Sequence, residues 1–169
     1  MTVVVLVAVV ITCLVLAIGG ALTDVGMWYR RLRKPRWNPP NWLFGPAWTV
    51  ILGLAAWAGV LAWTRAPDPA ALWRIGVLYG VNATLHVLWS PLFFKFKRPD
   101  WAMIEMPFLW LSILALMIGL APMAPLAPGL LAPYLGWVSF AIVLNAAIVR
   151  LNAPFGARAP ARPAKGVGG

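Results

Sequence analysis

The sequence has few of the side chains from which metal sites, disulfides and acid–base catalysts are built. Among its 169 residues there are four Asp and Glu in total, one His and one Cys. Metal centres usually take three or four ligands from these types, so no metal site is expected. A single cysteine, Cys13, excludes an internal disulfide. No Gly-x-Ser-x-Gly elbow or phosphate-binding glycine loop is present, and no catalytic residue is predicted.

Charged residues are scarce as well. They make up 11% of the chain, whereas 62% of the residues are hydrophobic. A water-soluble domain has about 25% charged and 45–50% apolar residues. The composition therefore indicates a membrane protein. Because one crossing takes about 20 apolar residues, the chain has room for about five or six crossings and for no soluble catalytic domain.

Five apolar segments are long enough to cross a bilayer as helices. They cover residues 3–22, 46–63, 72–94, 101–120 and 130–151, and the prolines of segment 122–133 separate the last two. The first lacks a basic leader and is too long for a secretory signal, so we expect it to be retained. The sequence predicts an all-α membrane protein with one five-helix domain, residues 1–152. A basic tail, residues 153–169, is expected to be disordered.

The positive charges are distributed unevenly over the segments that connect these spans. Of the 14 Lys and Arg residues, 12 follow the first, third or fifth span, and these positions share one side of the membrane. In a bacterial inner membrane this side is predicted to be cytoplasmic, with the N-terminus outside and the C-terminus inside. Topology and attraction to anionic lipid headgroups explain the net charge of +10. The bilayer is therefore the expected partner, and nucleic acid is not.

The segment between the first two spans, residues 28–48, is rich in proline and aromatic residues. Its four prolines exclude a continuous helix, and its aromatic side chains favour apolar surroundings. These side chains are Trp28, Tyr29, Trp37, Trp42, Phe44 and Trp48. We expect this first loop to fold back over the bundle as the lid or wall of a cavity between the helices.

Two spans each carry a stripe of aromatic and polar side chains spaced three or four residues apart. The stripes are Asn82, His86, Trp89 and Phe93 in the third span, and Tyr134, Trp137, Ala141 and Asn145 in the fifth. Residues at these spacings share one helical face. Such faces suit a flat conjugated ligand, because rings can stack while a few polar groups orient it. The alternative is that both stripes belong to the core of the bundle.

With these motifs the sequence resembles the translocator protein family, whose bacterial members are called tryptophan-rich sensory proteins (TspO/MBR). The matching positions are Trp28-Tyr29, Leu32, Lys34-Pro35, Pro39-Pro40, Trp42, Phe44, Trp48, residues 89–94, Leu109-Trp110, Pro133-Tyr134-Leu135, Trp137 and Leu144-Asn145. The resemblance covers residues 28–152. It implies a five-helix membrane protein that binds tetrapyrroles such as protoporphyrin IX or haem, without an obligatory cofactor.

The resemblance also implies where such a ligand lies. The family pocket would be lined here by Tyr29, Trp48, His86, Trp89, Trp137 and Ala141. The loop residues Trp37, Trp42 and Phe44 and the stripe residues Asn82, Phe93, Tyr134 and Asn145 complete the predicted ligand site. The basic side chains of the loop are candidate partners for propionate carboxylates.

The leading interpretation is a porphyrin-binding protein with a regulatory or sensory role in the membrane. One alternative is light-driven oxidative degradation of a bound porphyrin, with Trp48 and Trp137 nearest the ring. A second alternative is porphyrin transport. It has less support, because the sequence contains no evident internal repeat and only one acidic residue within a span, Glu105.

The chain departs from the family pattern at several positions. Family members usually have Gln at the position of Asn82, Asn at that of His86 and Tyr at that of Leu52. For His86 two interpretations stay open: a hydrogen bond between helices, or contact with the ligand, including coordination of a metalloporphyrin iron. The cholesterol-recognition pattern of animal relatives is absent after Tyr134, so the sequence gives no support for sterol binding.

A Gly-x-x-x-Gly pair, Gly76 and Gly80, lies in the third span. Small residues at this spacing let two helices approach closely. We predict a homodimer through this face. The alternative is that the pair packs against another helix of the same chain.

Overall fold

The structure, a computed structural model, describes residues 1–155 and contains in that range six α-helices and no strand. The helices are α1 (Thr2–Ala21), α2 (Met27–Arg31), α3 (Asn41–Trp63), α4 (Pro69–Ser90), α5 (Pro99–Leu120) and α6 (Ala127–Asn152). A π-helical turn, Pro91–Lys95, extends α4. All of these α-helices except α2 are long and apolar enough to cross a membrane, which confirms the predicted five-helix membrane fold. The predicted tail lies outside the described residues from residue 156 onward.

The helices α3, α4, α5 and α6 each begin a few residues earlier than predicted. In the last three a proline stands in the first turn, where its missing N–H costs no hydrogen bond. Helix α4 is capped in addition by Asp68, whose carboxylate accepts a hydrogen bond from the backbone N–H of Ala71 at 2.7 Å. Prolines at these positions therefore mark the starts of helices.

Three prolines lie inside membrane helices: Pro46 in α3, Pro107 in α5 and Pro133 in α6. The prediction that Pro133 belongs to the segment separating the last two spans is wrong, because α6 already begins at Ala127. A proline inside a helix removes one backbone hydrogen bond. Membrane helices tolerate this loss where neighbouring helices and local backbone adjustments satisfy the freed carbonyl.

The larger of two clusters of buried hydrophobic residues occupies the half of the bundle that is distant from the first loop. It contains the C-terminal half of α3, with the small residues Ala55, Ala58 and Ala62, together with parts of α4, α5 and α6. Small side chains allow the close helix approach on which membrane packing depends. Helix α1 has no buried residue and packs against α3 and α4. The other half of the bundle contains a second, smaller cluster of buried residues and the cavity described below.

Gly76 and Gly80 lie on an outward side of α4. Both are exposed, and a Cβ atom at either position would meet no atom within 4 Å, so this face does not pack inside the monomer. Dimerisation through it stays a prediction. We expect Gly80→Leu to raise the dimer dissociation constant about tenfold, roughly 1.4 kcal/mol, because the new side chain separates the two backbones.

Chemical crosslinking in proteoliposomes at several protein-to-lipid ratios measures this constant. Gly53→Leu is the matched control, since Gly53 on α3 is equally open. A dimer fraction that is the same in wild type and Gly80→Leu would exclude this face as the interface.

Candidate functional site

A cavity of about 480 Å³ lies between the helices at the end of the bundle nearest the first loop. All five membrane helices and α2 contribute to its wall. Small-molecule sites have volumes of roughly 300–1,000 Å³ and are lined mainly by apolar and aromatic side chains. Within the described part of the chain, no Arg, Lys, Asp or Glu lines the cavity. A ligand would therefore be held by ring contacts and by hydrogen bonds to neutral groups.

Most of the predicted site residues line this cavity. They are Tyr29, Phe44, Trp48, His86, Trp89, Phe93, Trp137, Ala141 and Asn145. The other four do not. Trp42 is 71% exposed, and Trp37 packs against Phe140 with ring centroids 5.8 Å apart. Asn82 and Tyr134 are buried behind the wall.

Sequence reasoning missed the contribution of α1. Val15, Leu16, Gly19 and Gly20 line the cavity, as does Thr23 just beyond the helix. A uniformly apolar helix has no sequence pattern that indicates a cavity, because its apolar side chains can face either lipid or a cavity. The only available signal was the pair of glycines, which leaves room beside the helix.

Tyr29 closes the cavity on the side of the first loop. Its hydroxyl donates a hydrogen bond to Asn41 Oδ1 at 3.3 Å. The Lys34 ammonium donates to the Tyr29 carbonyl oxygen at 2.6 Å and lies 4.0 Å from the centroid of the Tyr29 ring. Burial raises the pKa of the Tyr29 phenol and lowers the pKa of the Lys34 amine. The phenol is therefore a neutral donor at physiological pH.

The loop is attached to the end of α6 by one side chain. Asn152 Oδ1 accepts the backbone N–H of Arg33 at 2.9 Å, and Asn152 Nδ2 donates to the carbonyl oxygen of the same residue at 2.8 Å. This pair of bonds uses both halves of the amide. It fixes the basic part of the loop against the bundle.

The π-helical turn after α4 brings two adjacent phenylalanines into the interior. Phe93 and Phe94 are both buried, with ring centroids 4.8 Å apart. Tyr29 lies 5.5 Å from Phe94, and Trp89 lies 5.2 Å from Phe93, measured between ring centroids. Aromatic pairs at such distances attract one another beyond simple area burial. The cluster therefore joins the loop to α4 and forms one wall of the cavity.

A second aromatic wall comes from α3 and α6. The rings of Trp48 and Trp137 are 6.2 Å apart at an interplanar angle of 80°, and Phe44 packs edge-on against Trp137 at 5.9 Å. The imidazole of His86 lies 4.6 Å from Trp48 at a similar angle. These edge-to-face contacts hold the rings in place. The cavity consequently has a preformed aromatic surface.

Three polar atoms of the cavity-lining residues are buried without a hydrogen-bond partner among the described residues: Asn38 Oδ1, Trp89 Nε1 and Asn145 Oδ1. The orientation of both amides is defined, because their nitrogens donate to backbone carbonyls, which can only accept. Asn145 Nδ2 donates to Pro99 O at 3.0 Å, and Asn38 Nδ2 donates to Pro39 O at 2.8 Å. All three atoms are enclosed by protein, so none of them presents accessible surface to the cavity. Unpaired buried polar atoms are costly.

Behind the wall, a chain of hydrogen bonds joins α4, α5 and α6. His86 Nδ1 is 3.2 Å from the Tyr134 hydroxyl, which lies 3.4 Å from Asn82 Oδ1. Asn82 Nδ2 donates to Ser112 Oγ at 2.8 Å, and Ser112 Oγ donates to the Leu109 carbonyl at 2.7 Å. The hydrogen bond between helices that the sequence suggested for His86 is therefore present at Nδ1.

Glu105 is the one acidic side chain buried in the described part of the bundle. Neither of its carboxylate oxygens has a hydrogen-bond partner there, and it does not line the cavity. No group of three or more His, Cys, Asp or Glu side chains within residues 1–155 is arranged to hold a metal ion.

A shallower groove lies on the outer surface between α3 and α6. It is lined by Pro46, Ala47, Val50, Ile51, Pro133, Gly136, Trp137 and Phe140. Trp137 lines both this groove and the interior cavity. Trp137 is therefore a wall residue that the two spaces share.

Five apolar helices around an aromatic cavity define an integral, multi-pass membrane protein whose interior has the dimensions of a small-molecule site. The profile of the TspO/MBR family matches residues 5–151. The chain belongs to this family, as its resemblance in sequence suggested.

Individual relatives agree with this assignment. The chain is 37% identical over 129 residues to "Tryptophan-rich protein TspO" of Chlorobaculum tepidum, covering 74% of this chain and 79% of the relative. It is 35% identical over 133 residues to "Tryptophan-rich sensory protein" of Cereibacter sphaeroides, covering 79% and 82%. It is 32% identical over 127 residues to "Translocator protein" of Homo sapiens, covering 74% and 75%.

Proposed function

We propose that this protein binds a tetrapyrrole, protoporphyrin IX or a haem-type relative, and acts as a regulatory or sensory protein of the membrane. The observation that carries the proposal is the cavity of about 480 Å³ with two aromatic walls and no charged lining among the described residues. A planar macrocycle presents two large apolar faces, and aromatic side chains stack favourably on such faces. The name of one relative, "Tryptophan-rich sensory protein", supports the sensory part of the proposal.

The two aromatic walls come from different parts of the chain. Phe93 and Trp89 stand on the α4 side, and Trp48 and Trp137 stand on the α3 and α6 side. A macrocycle between them contacts indole and phenyl rings on both faces. The lining also includes two polar side chains beside these rings, Tyr29 and His86. Such a few placed polar groups give orientation within an apolar site.

The carboxylates of the ligand need a different environment. Among the described residues no cation lines the cavity, so propionate groups are expected to point towards the first loop, where Lys34 lies beside Tyr29. An ammonium group there can pair with a carboxylate near the membrane surface. Ligand binding would then involve the loop directly. Through this contact, ligand binding would change the surface of the first loop, where other molecules could bind.

Tryptophan-fluorescence quenching by protoporphyrin IX, measured in the dark, tests the proposal. Darkness matters because excited porphyrins generate reactive oxygen that bleaches indoles. We expect saturable quenching in wild type and a Kd raised about tenfold or more in Trp137→Ala, since the truncation removes a large stacking surface, about 1.4 kcal/mol or more. Trp73→Ala is the control, because Trp73 is 76% exposed and lies outside the cavity. Non-saturable quenching that is equal in all three proteins would reject the site.

A further inference from the structure

The two nitrogens of the His86 imidazole have different surroundings. Nδ1 faces the Tyr134 hydroxyl at 3.2 Å, inside the packed bundle. Nε2 has no hydrogen-bond partner among the described residues, and it is not among the fully enclosed unpaired atoms. Because His86 lines the cavity while Tyr134 does not, Nε2 is the nitrogen accessible from the cavity.

The hydrogen-bond chain behind His86 favours one position for the imidazole proton. The Leu109 carbonyl can only accept, so Ser112 donates to it and accepts from Asn82 Nδ2. Asn82 Oδ1 then accepts from the Tyr134 hydroxyl, whose oxygen is left to accept from His86 Nδ1–H. Every group in the chain is satisfied in this direction only. In the reverse direction the buried Asn82 Oδ1 would lack a donor.

The consequence is a neutral imidazole with its lone pair on Nε2, directed to the cavity side. A neutral imidazole whose other nitrogen donates to a fixed acceptor is the usual form of a metal-binding histidine. The edge-on contact with Trp48, at 4.6 Å, further restricts rotation of the ring. His86 is thus oriented as a Lewis base before any ligand arrives.

One histidine is not enough to hold a free metal ion. Protein sites for such ions usually supply three or four ligands, and residues 1–155 contain no group of three or more His, Cys, Asp or Glu side chains that could hold one. A metal that binds here must bring its remaining ligands with it. A metal already held in the plane of a flat macrocycle meets this requirement and also suits the aromatic walls.

We infer that His86 Nε2 is an axial ligand for the metal of a metallated tetrapyrrole such as haem. The inference rests on the proposed function, because it places the macrocycle in the same cavity. The lone pair of Nε2 forms a coordinate bond to the metal, and no electron is transferred. Tyr134 acts as a positioning residue, since it touches the imidazole and not the cavity.

Absorption spectra of the full chain titrated with ferric haem, compared with dark titrations of metal-free protoporphyrin IX, test the inference. In wild type we expect the Soret shift of histidine-coordinated haem. In His86→Ala the shift disappears, and the haem affinity relative to the protoporphyrin IX affinity falls at least about tenfold. Free imidazole restores the shifted spectrum in His86→Gly. Val81→Ala, on the exposed side of α4, is the control and retains the wild-type spectrum.

The effect of Tyr134→Phe separates positioning from packing. The variant keeps the coordinated spectrum but loses about ten- to a hundredfold in haem affinity, the usual effect of removing the hydrogen-bond partner of a ligating histidine. The spectra and affinity ratios of wild type and His86→Ala could be the same while protoporphyrin IX still binds. That result would overturn the coordination by His86 and leave the proposed function standing. Failure of wild type to bind either protoporphyrin IX or haem would instead contradict the proposed function.

Discussion

Ala141→Trp is expected to raise the Kd for protoporphyrin IX at least about 100-fold, roughly 2.7 kcal/mol. Ala141 lines the cavity on α6, one turn from both Trp137 and Asn145. An indole at this position occupies the space between the two aromatic walls that the macrocycle would take. The cavity of about 480 Å³ cannot hold both without displacing packed side chains, which is itself costly.

The matched control for this cavity-filling variant is Val143→Trp. Val143 lies two residues along the same helix and is 58% exposed, so its replacement adds the same indole on the outside of the bundle. Expression, membrane insertion and helix content should be equal in the two variants, and Val143→Trp should bind as wild type does. Dark quenching titrations measure both Kd values. Equal binding by both variants would contradict the location of the ligand in this cavity.

Asn82→Ala is expected to destabilise the bundle by roughly 1–3 kcal/mol. The amide side chain stands in the middle of the buried chain of hydrogen bonds, with Ser112 on one side and Tyr134 on the other. Removing it leaves buried groups on both neighbours without their partner. This cost exceeds the average hydrogen bond between membrane helices, about 0.6 kcal/mol, because two buried groups lose a partner.

Thermal unfolding in detergent, followed by circular dichroism, measures this loss. For a chain of this size a loss of 1 kcal/mol lowers Tm by about 2–4 °C. Thr84→Ala is the control, because the Thr84 hydroxyl is exposed and bonds only to the carbonyl of Gly80 in its own helix. A Tm of Asn82→Ala equal to that of Thr84→Ala would contradict a structural role for the buried chain.

The stripe on α4 illustrates what helical periodicity can and cannot predict. Asn82, His86, Trp89 and Phe93 were predicted to share a face, and the last three line the cavity. Asn82 lies one turn deeper, where the core has already closed, and bonds to Ser112. Spacing along a helix defines a face. It does not define the depth at which packing replaces a cavity, because that depends on the neighbouring helices.

Side chains in a membrane pose a further problem for sequence reasoning. Trp42 and Phe44 are two residues apart at the start of α3, yet only Phe44 lines the cavity. Lipid tails are as apolar as an aromatic cavity, so composition gives no preference between them. For the same reason the contribution of α1 to the cavity wall could not be predicted. The five spans, by contrast, were predictable because length and hydropathy alone define them.

The position of Trp137 between the outer groove and the interior makes its emission sensitive to two environments. A brominated acyl chain reaches this indole from the lipid side, and a cavity ligand reaches it from within. In a variant that keeps Trp137 and has Phe at its other tryptophans, the two quenchers compete for one fluorophore. A change in bromine quenching as the cavity fills would then show that occupancy moves the Trp137 side chain. Unchanged bromine quenching would show that the side chain stays in place.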